Sequence, residues 1–299
     1  MISILVPFYN EEESLPLLHR EITDNMVNLG REYEVLYIND GSTDKSALKI
    51  HDIAQSDTHV NIIMNRKRMG KGEALRCGIE QARGEIMIFM DADLQDNPKD
   101  IRLFLNKIDD GYDLVNGIRE KRKDSIIIKF YSVIVNIFLH KLMKSPFTDI
   151  NCGFKAIRKE IFQEIHLYGN NFRFLPLAAY YKGFKVSEIV VQNRDRKYGV
   201  SKYGWKKLYI GIIDTITAYF IFQFAEKPLH FFGTIGLGFF GLGFIITLYL
   251  AIERIFNNVL LYRRPLLQFG ILLIIIGIQI AMTGIIGELI VYLDKRKNK

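Results

Sequence analysis

With 299 residues, 49% of them hydrophobic, the chain is long enough for one sizeable domain and a smaller second one. A net charge of +7 and a pI near 9.2 suit anionic lipid headgroups and phosphorylated ligands, and no nucleic-acid-binding motif accompanies that charge, which sets nucleic acid aside as a partner. Cys77 and Cys152 are the two cysteines; they match no metal or redox spacing and read as reduced structural thiols.

The N-terminus Met-Ile-Ser-Ile-Leu-Val-Pro has neither a basic segment nor a small-residue cleavage site, so residues 2–7 read as a first strand and not as a signal peptide. Helical patterns near 12–29, 44–55 and 71–82 then alternate with apolar runs at 34–38, 60–64 and 85–90. This βαβ rhythm predicts an α/β domain with a Rossmann-like, mainly parallel sheet covered by helices on both faces. Ligands of such sheets bind at the carboxyl ends of strands. The chemistry-bearing residues fall there: Tyr9, Asn10 and Glu11 after the first strand, Asn39 to Ser42 after the second, Asp91 and Asp93 after the fourth.

Further along, residues 125–144 are apolar but interrupted by Lys129, Asn136 and His140, which suits a helix in the membrane interface, with a core helix as the rival reading. Residues 205–225 repeat the pattern. Residues 229–252 carry no Asp, Glu, Lys or Arg, and 266–293 carry only Glu288. Each is long enough to cross a hydrocarbon core about 30 Å thick at about 1.5 Å per helical residue. The expected organisation is a cytoplasmic catalytic domain over 1–204, an interfacial amphipathic segment over 205–228, a two-helix transmembrane domain over 229–293 and a basic cytoplasmic tail over 294–299. The chain would then be a multi-pass protein of the inner (plasma) membrane. The Gly-rich stretch from Gly233 to Gly243 suits helix association, including that of two copies.

At the end of a strand, side chains two apart project the same way, so Asp91 and Asp93 would form a hard-oxygen site for Mg²⁺ or Mn²⁺, with Gln95 one alternation further along. Plain turn chemistry is the competing reading of the same residues. Lys71, between two glycines at a helix start, suits an anion, or is simply a solvated lysine. Asp40-Gly41 taken alone is an ordinary turn signal.

Pro7-Phe8-Tyr9-Asn10-Glu11-Glu12, Asn39-Asp40-Gly41-Ser42-Thr43-Asp44, Gly70-Lys71-Gly72 and Asp91-Ala92-Asp93-Leu94-Gln95-Asp96 occur in that order and together resemble family 2 glycosyltransferases of the GT-A fold. The later Asp149-Ile-Asn-Cys-Gly153-Phe154-Lys155 and Arg196-Lys-Tyr-Gly199-Val-Ser201-Lys202-Tyr203, with two C-terminal spans, are similar to the polyprenyl-phosphate branch, akin to dolichol-phosphate mannose synthases and bacterial undecaprenyl-phosphate glucosyltransferases. The resemblance implies a nucleotide-sugar donor and a polyprenyl phosphate acceptor. It implies that Asp40 reads the base, with the backbone around Pro7 and Tyr9 and the Glu11 carboxylate framing base and ribose, and Asn10, Ser42 and Lys71 also in the nucleotide-sugar site; that Asp91, Asp93 and Gln95 hold the metal over the diphosphate; and that Arg119, Arg196, Ser201 and Lys202 bind the acceptor phosphate. Asp149 matches a further acidic position. A lipid phosphate, whose second pKa is near 6, is largely a dianion at neutral pH, so the expected catalytic role of Asp149 is an orienting or metal-adjacent one ahead of obligatory base catalysis.

The function expected from these readings is inverting transfer of a hexose, with UDP-glucose first among donors, to undecaprenyl phosphate. GDP-mannose as donor, a polysaccharide-extending synthase and a catalytically silent membrane scaffold are the alternatives. The synthase would carry a Gln and aromatic signature near Arg-Trp, whereas the single tryptophan, Trp205, stands in no such motif.

Overall fold

A computed structural model describes residues 1–119, 146–165, 169–195, 205–257 and 264–297. These divide into two compact units, Met1–Asp214 and Thr215–Lys299.

In the first unit the chain runs β1 (Ile2–Phe8), α1 (Leu15–Leu29), β2 (Tyr33–Asn39), α2 (Ser46–Ser56), β3 (Val60–Met64), α3 (Lys71–Gln81) and β4 (Ile86–Phe89). It continues with α4 (Ile101–Asp109), β5 (Leu114–Arg119), β6 (Lys155–Arg158), α5 (Ile161–Glu164), α6 (Leu175–Tyr181) and β7 (Val186–Val191). The strands form one sheet in the order β3-β2-β1-β4-β6-β5-β7. Only β6, among the described strands, runs against its neighbours, which makes the sheet mainly parallel as the βαβ rhythm requires.

Burial explains the composition of the strands. Every residue of β1 and β2 is buried, as expected for central parallel strands covered on both faces. Alternation then sorts side chains to two cores. Ile2, Ile4, Val6 and Phe8 pack with Leu15, Leu18, Ile22 and Met26 of α1 and with Ile101, Phe104, Leu105 and Ile108 of α4. Leu5 faces the other way, with Ala74 and Leu75 of α3 and Leu175 and Ala179 of α6. The result is helix, sheet, helix in three layers.

From β1 the chain winds outward through β2 and β3, then returns to place β4 on the opposite side of β1. The order therefore reverses between β1 and β4. A crevice opens at such a switch point, outside the carboxyl ends of the two strands.

In the second unit, α7 (Trp205–Phe224) crosses the unit boundary and is followed by α8 (Pro228–Asn257) and α9 (Pro265–Lys297). The boundary thus falls inside the helix that the sequence assigns whole to an interfacial segment. Both α8 and α9 are long and apolar enough to cross a membrane. They pack antiparallel through glycines: a Cβ on Gly236 would lie 2.6 Å from the Gly277 carbonyl oxygen, and one on Gly243 2.6 Å from that of Gly270. Close backbone approach of this kind is what holds helices together where lipid removes the hydrophobic drive. Glu288, the single carboxylate in its apolar stretch, accepts the Leu229 N–H at the start of α8 (3.2 Å), so its charge meets an unpaired amide and the positive end of a helix dipole.

Candidate active site

At the end of β1, Asn10 adopts a positive φ of 56° and ties two loops together. Its N–H donates to Ser42 Oγ (3.1 Å), and its Oδ1 accepts from Thr43 N (2.8 Å). Glu11 N donates to Ser46 Oγ (2.8 Å), and the Glu11 carboxylate accepts the Ser14 hydroxyl (2.8 Å) at the start of α1. Buried Asn39 caps the next turn by accepting Ser42 N–H (2.8 Å). Asp40, also buried, takes Met69 N–H on one oxygen (2.7 Å) and Gly70 N–H on the other (2.9 Å). Its carboxylate therefore fixes the 67–70 loop, and that loop sets the Arg68 guanidinium 4.1 Å from the centroid of the Tyr9 ring. Pro7 is buried within β1, opposite Ile38. The expected nucleotide-contacting residues are thus brought together at one end of β1 and β2.

Beside them lies the acidic turn. Strand β4 stops at Phe89, and Asp91 to Leu94 form a turn in which Leu94 has φ of 64°. The Asp91 and Asp93 carboxylates are consequently placed by this turn and not by strand alternation, which corrects the geometric reason given for pairing them. Asp93 Oδ1 accepts Gln95 N–H (3.2 Å), and Asp96 Oδ2 accepts Asp91 N–H (3.1 Å). Lys71, the first residue of α3, sets its ammonium on Asp91 Oδ1 and lies 5.3 Å from the Phe172 ring centroid. Burial opposes its charge, but Asp91, and behind it Asp96 and Asp93, more than compensate and raise its pKa. Asp96 is pushed up to about 7 by its burial and then by Asp91 and Asp93.

Among the described residues no three His, Cys, Asp or Glu side chains converge as a ready metal cage. A pair of carboxylates completed by ligand phosphates is how magnesium is usually held at diphosphates. Asp91 and Asp93 fit that type: hard oxygen donors whose mutual charge already draws in the Lys71 cation as a partner for Asp91.

A second pair stands on the far side of the turn. Arg119, at the end of β5, donates from Nε (2.9 Å) and Nη2 (3.0 Å) to the two carboxylate oxygens of Asp149. Downstream of Asp149 the loop presses against the acidic turn. A Cβ on Gly153 would sit 2.7 Å from Asp91 Oδ2 and 3.0 Å from Lys71 Nζ, so the loop that begins at Asp149 reaches the Lys71–Asp91 pair at this glycine. Arg196, Ser201 and Lys202 lie outside the described residues. The segment leading to them is fixed: Asn193 bridges to Asp96, Arg194 N donates to the Gln95 carbonyl (2.9 Å), and the Arg194 guanidinium pairs with Glu21 of α1 (2.7 Å).

Several residues here escape the sequence reading. Arg68 sits in a basic run, which by itself reads as solvated. Asp96 closes an acidic run whose first members take the attention. Asn116 is a lone buried amide in β5, with nothing local to mark its partners, whereas Lys155, the last residue of the Asp149 to Lys155 motif, is buried at the first position of β6.

Comparisons with known proteins fit this geometry. Residues 3–166 match the family described as Glycosyl transferase family 2. The chain is 31% identical over 294 residues to the dodecaprenyl-phosphate galacturonate synthase of Rhizobium johnstonii, covering 97% of this chain and 87% of that protein. It is 32% identical over 299 residues to the undecaprenyl-phosphate 4-deoxy-4-formamido-L-arabinose transferase of Photorhabdus laumondii, covering 99% and 90%. Among solved structures, glucosyl-3-phosphoglycerate synthase from Mycobacterium tuberculosis, in complex with Mn²⁺, UDP-glucose and phosphoglyceric acid, aligns with a TM-score of 0.59 at 16% identity, over 73% of this chain and 79% of that one. At that identity the likeness speaks for the fold alone, a GT-A type.

Proposed function

The chain belongs to glycosyl transferase family 2, and from that premise we propose that it moves a sugar from a nucleoside diphosphate to polyprenyl phosphate at a membrane surface. The observation that carries this reading is one short loop that serves two opposite requirements: at Gly153 it lies against an acidic turn suited to a metal-bound diphosphate, and at Asp149 it holds an arginine suited to a phosphate dianion. Similarity over nearly the whole chain to two polyprenyl-phosphate transferases supports the acceptor.

In this mechanism the donor base and ribose lie against Tyr9, Asn10, Glu11 and Ser42, beside the loop that Asp40 fixes. Asp91 and Asp93, with Gln95 next in the turn, would hold Mg²⁺ or Mn²⁺, which when bound neutralises charge on the departing diphosphate. Lys71 supplies a positive charge between Asp91 and a diphosphate oxygen. Arg119, whose Nε and Nη2 are held by Asp149, brings its positive charge to the lipid phosphate, with Arg196, Ser201 and Lys202 as further contacts. A phosphate oxygen attacks the anomeric carbon, the bond from that carbon to the diphosphate oxygen breaks, and the nucleoside diphosphate leaves with the bonding pair. Attack opposite the leaving group inverts the configuration. The second unit anchors the catalytic unit to the membrane, with the catalytic unit on the cytoplasmic side of the inner membrane.

UDP-glucose is the donor of first choice in this reading. The names of the relatives add a uronic acid and a formamido-arabinose to the sugars worth testing. Sugar choice depends on pocket contacts spread over loops. Purified full-length protein incubated with undecaprenyl phosphate and a panel of UDP-glucose, UDP-galacturonic acid, UDP-4-deoxy-4-formamido-L-arabinose and GDP-mannose should form a lipid phosphosugar with a uridine donor. Turnover with GDP-mannose alone would assign it to the mannose-type branch, polymer formation would make it a chain-extending synthase, and absence of any nucleotide turnover would leave a silent scaffold.

A further inference from the structure

The sheet register lines up three polar residues across three adjacent strands. Asn116 of β5 pairs with Lys155 of β6 on one side and with Glu188 of β7 on the other, so the three side chains share one face of the sheet. Asn116 is fully buried and Lys155 nearly so. Buried polar groups of this kind require partners, and a charged one requires several.

The partners all belong to one short loop. Lys155 Nζ donates to Asn116 Oδ1, to the Ile150 carbonyl (3.2 Å) and to the Cys152 carbonyl. Asn116 Nδ2 donates to Glu188 Oε1 (3.0 Å) and to the Asp149 carbonyl (3.0 Å). Glu188 Oε2 accepts from both Thr148 N (2.9 Å) and Thr148 Oγ1 (2.6 Å). The direction of the row is fixed by chemistry: lysine only donates and glutamate only accepts, so the Asn116 amide has one orientation that satisfies both. Burial pushes the Lys155 ammonium down to about 8, which leaves it charged, with its donors engaged, at neutral pH. The row thus grips the backbone of 148–152, and the side chain it holds out is Asp149, whose two oxygens receive Arg119.

We propose that Lys155, Asn116 and Glu188 act as positioning residues for the acceptor: by fixing the Asp149 loop they hold the Arg119 guanidinium plane where the lipid phosphate docks. The proposal rests on the acceptor reading above. It assigns a role to an edge-strand carboxylate, Glu188, that touches neither donor nor acceptor. The effect of Glu188, which holds Thr148 beside Asp149, is expected at Arg119 and so at the acceptor, and that route separates it from a general structural role.

The test uses full-length Glu188→Gln, Arg119→Ala and the double variant, assayed with a productive UDP-sugar and undecaprenyl phosphate. Glu188→Gln keeps the size of the side chain but turns one acceptor into a donor facing Thr148 or Asn116. Losing a hydrogen bond to a charged group should raise the KM for lipid about tenfold while the donor KM changes less than about twofold. The double variant should be no worse than Arg119→Ala, because both act on one contact. Thr148→Val, a milder change at the same carboxylate, should raise the lipid KM about threefold. An unchanged lipid KM in Glu188→Gln, an equal rise in donor KM, or additive effects in the double variant would overturn the proposal. If Arg119→Ala leaves lipid use intact, or the wild type does not use undecaprenyl phosphate, the acceptor reading itself fails and the proposal falls with it.

Discussion

Asp91 and Asp93 carry the heaviest chemical demand, since two carboxylates beside buried Asp96 accumulate charge, which adds to burial in pushing Asp96 up to about 7 and draws the Lys71 ammonium onto Asp91. Either Asp→Asn change alters charge with little change in volume. Each is expected to abolish transfer while the protein stays folded in detergent, and chelation should do the same to the wild type; near-normal activity in either variant, or indifference to chelator, would refute the metal assignment. Asp40 acts at one remove. Its carboxylate holds the Met69 and Gly70 amides, so Asp40→Ala should release the loop carrying Arg68 and raise the donor KM more than the lipid KM. An effect confined to the lipid KM would place the nucleotide elsewhere. The sequence makes both residues visible because a charged side chain at a strand end is conspicuous. It hides their geometry, because a carboxylate that caps backbone amides looks the same in one dimension as one that waits for a ligand.

The first four strands and three helices were legible from alternating apolar runs, and β3 matches its expected bounds. Strands β6 and β7 were not. β6 has four residues, one of them the buried Lys155, and β7 is a partly exposed edge strand, so neither shows a clear apolar run. Their register, which aligns Lys155, Asn116 and Glu188, is long-range and leaves no local trace. The glycines of α8 and α9 are a milder case: the sequence shows that they are many but not which ones bear contacts. Gly277→Val should destabilise the helix pair by about 1–3 kcal/mol, since a Cβ there would meet Phe240 N at 2.5 Å and the Gly236 carbonyl at 2.6 Å. Gly238→Val, where a Cβ meets nothing within 4 Å, should be nearly neutral. Thermal unfolding in detergent distinguishes them, and equal effects would mean that this packing is not what holds the hairpin.

At the scale of the molecule, the sheet brings to one place residues that the chain separates widely: the β1 and β4 ends are neighbours at the switch point, and the loop from Asp149 reaches Asp91 and Lys71 at Gly153. In the proposed mechanism the acidic turn receives one polyanion and Arg119 the other, and the structure has Asp149 engaged by Arg119. The central claim is that the acceptor phosphate is its own nucleophile and that Asp149 orients Arg119. Its most direct test is the transfer rate to undecaprenyl phosphate as a function of pH in wild type and Asp149→Asn. Both should turn over, and both rates should rise through about pH 6, where the lipid phosphate loses its second proton. Complete loss of chemistry in Asp149→Asn, with donor and lipid still bound, would contradict the account and make Asp149 the base.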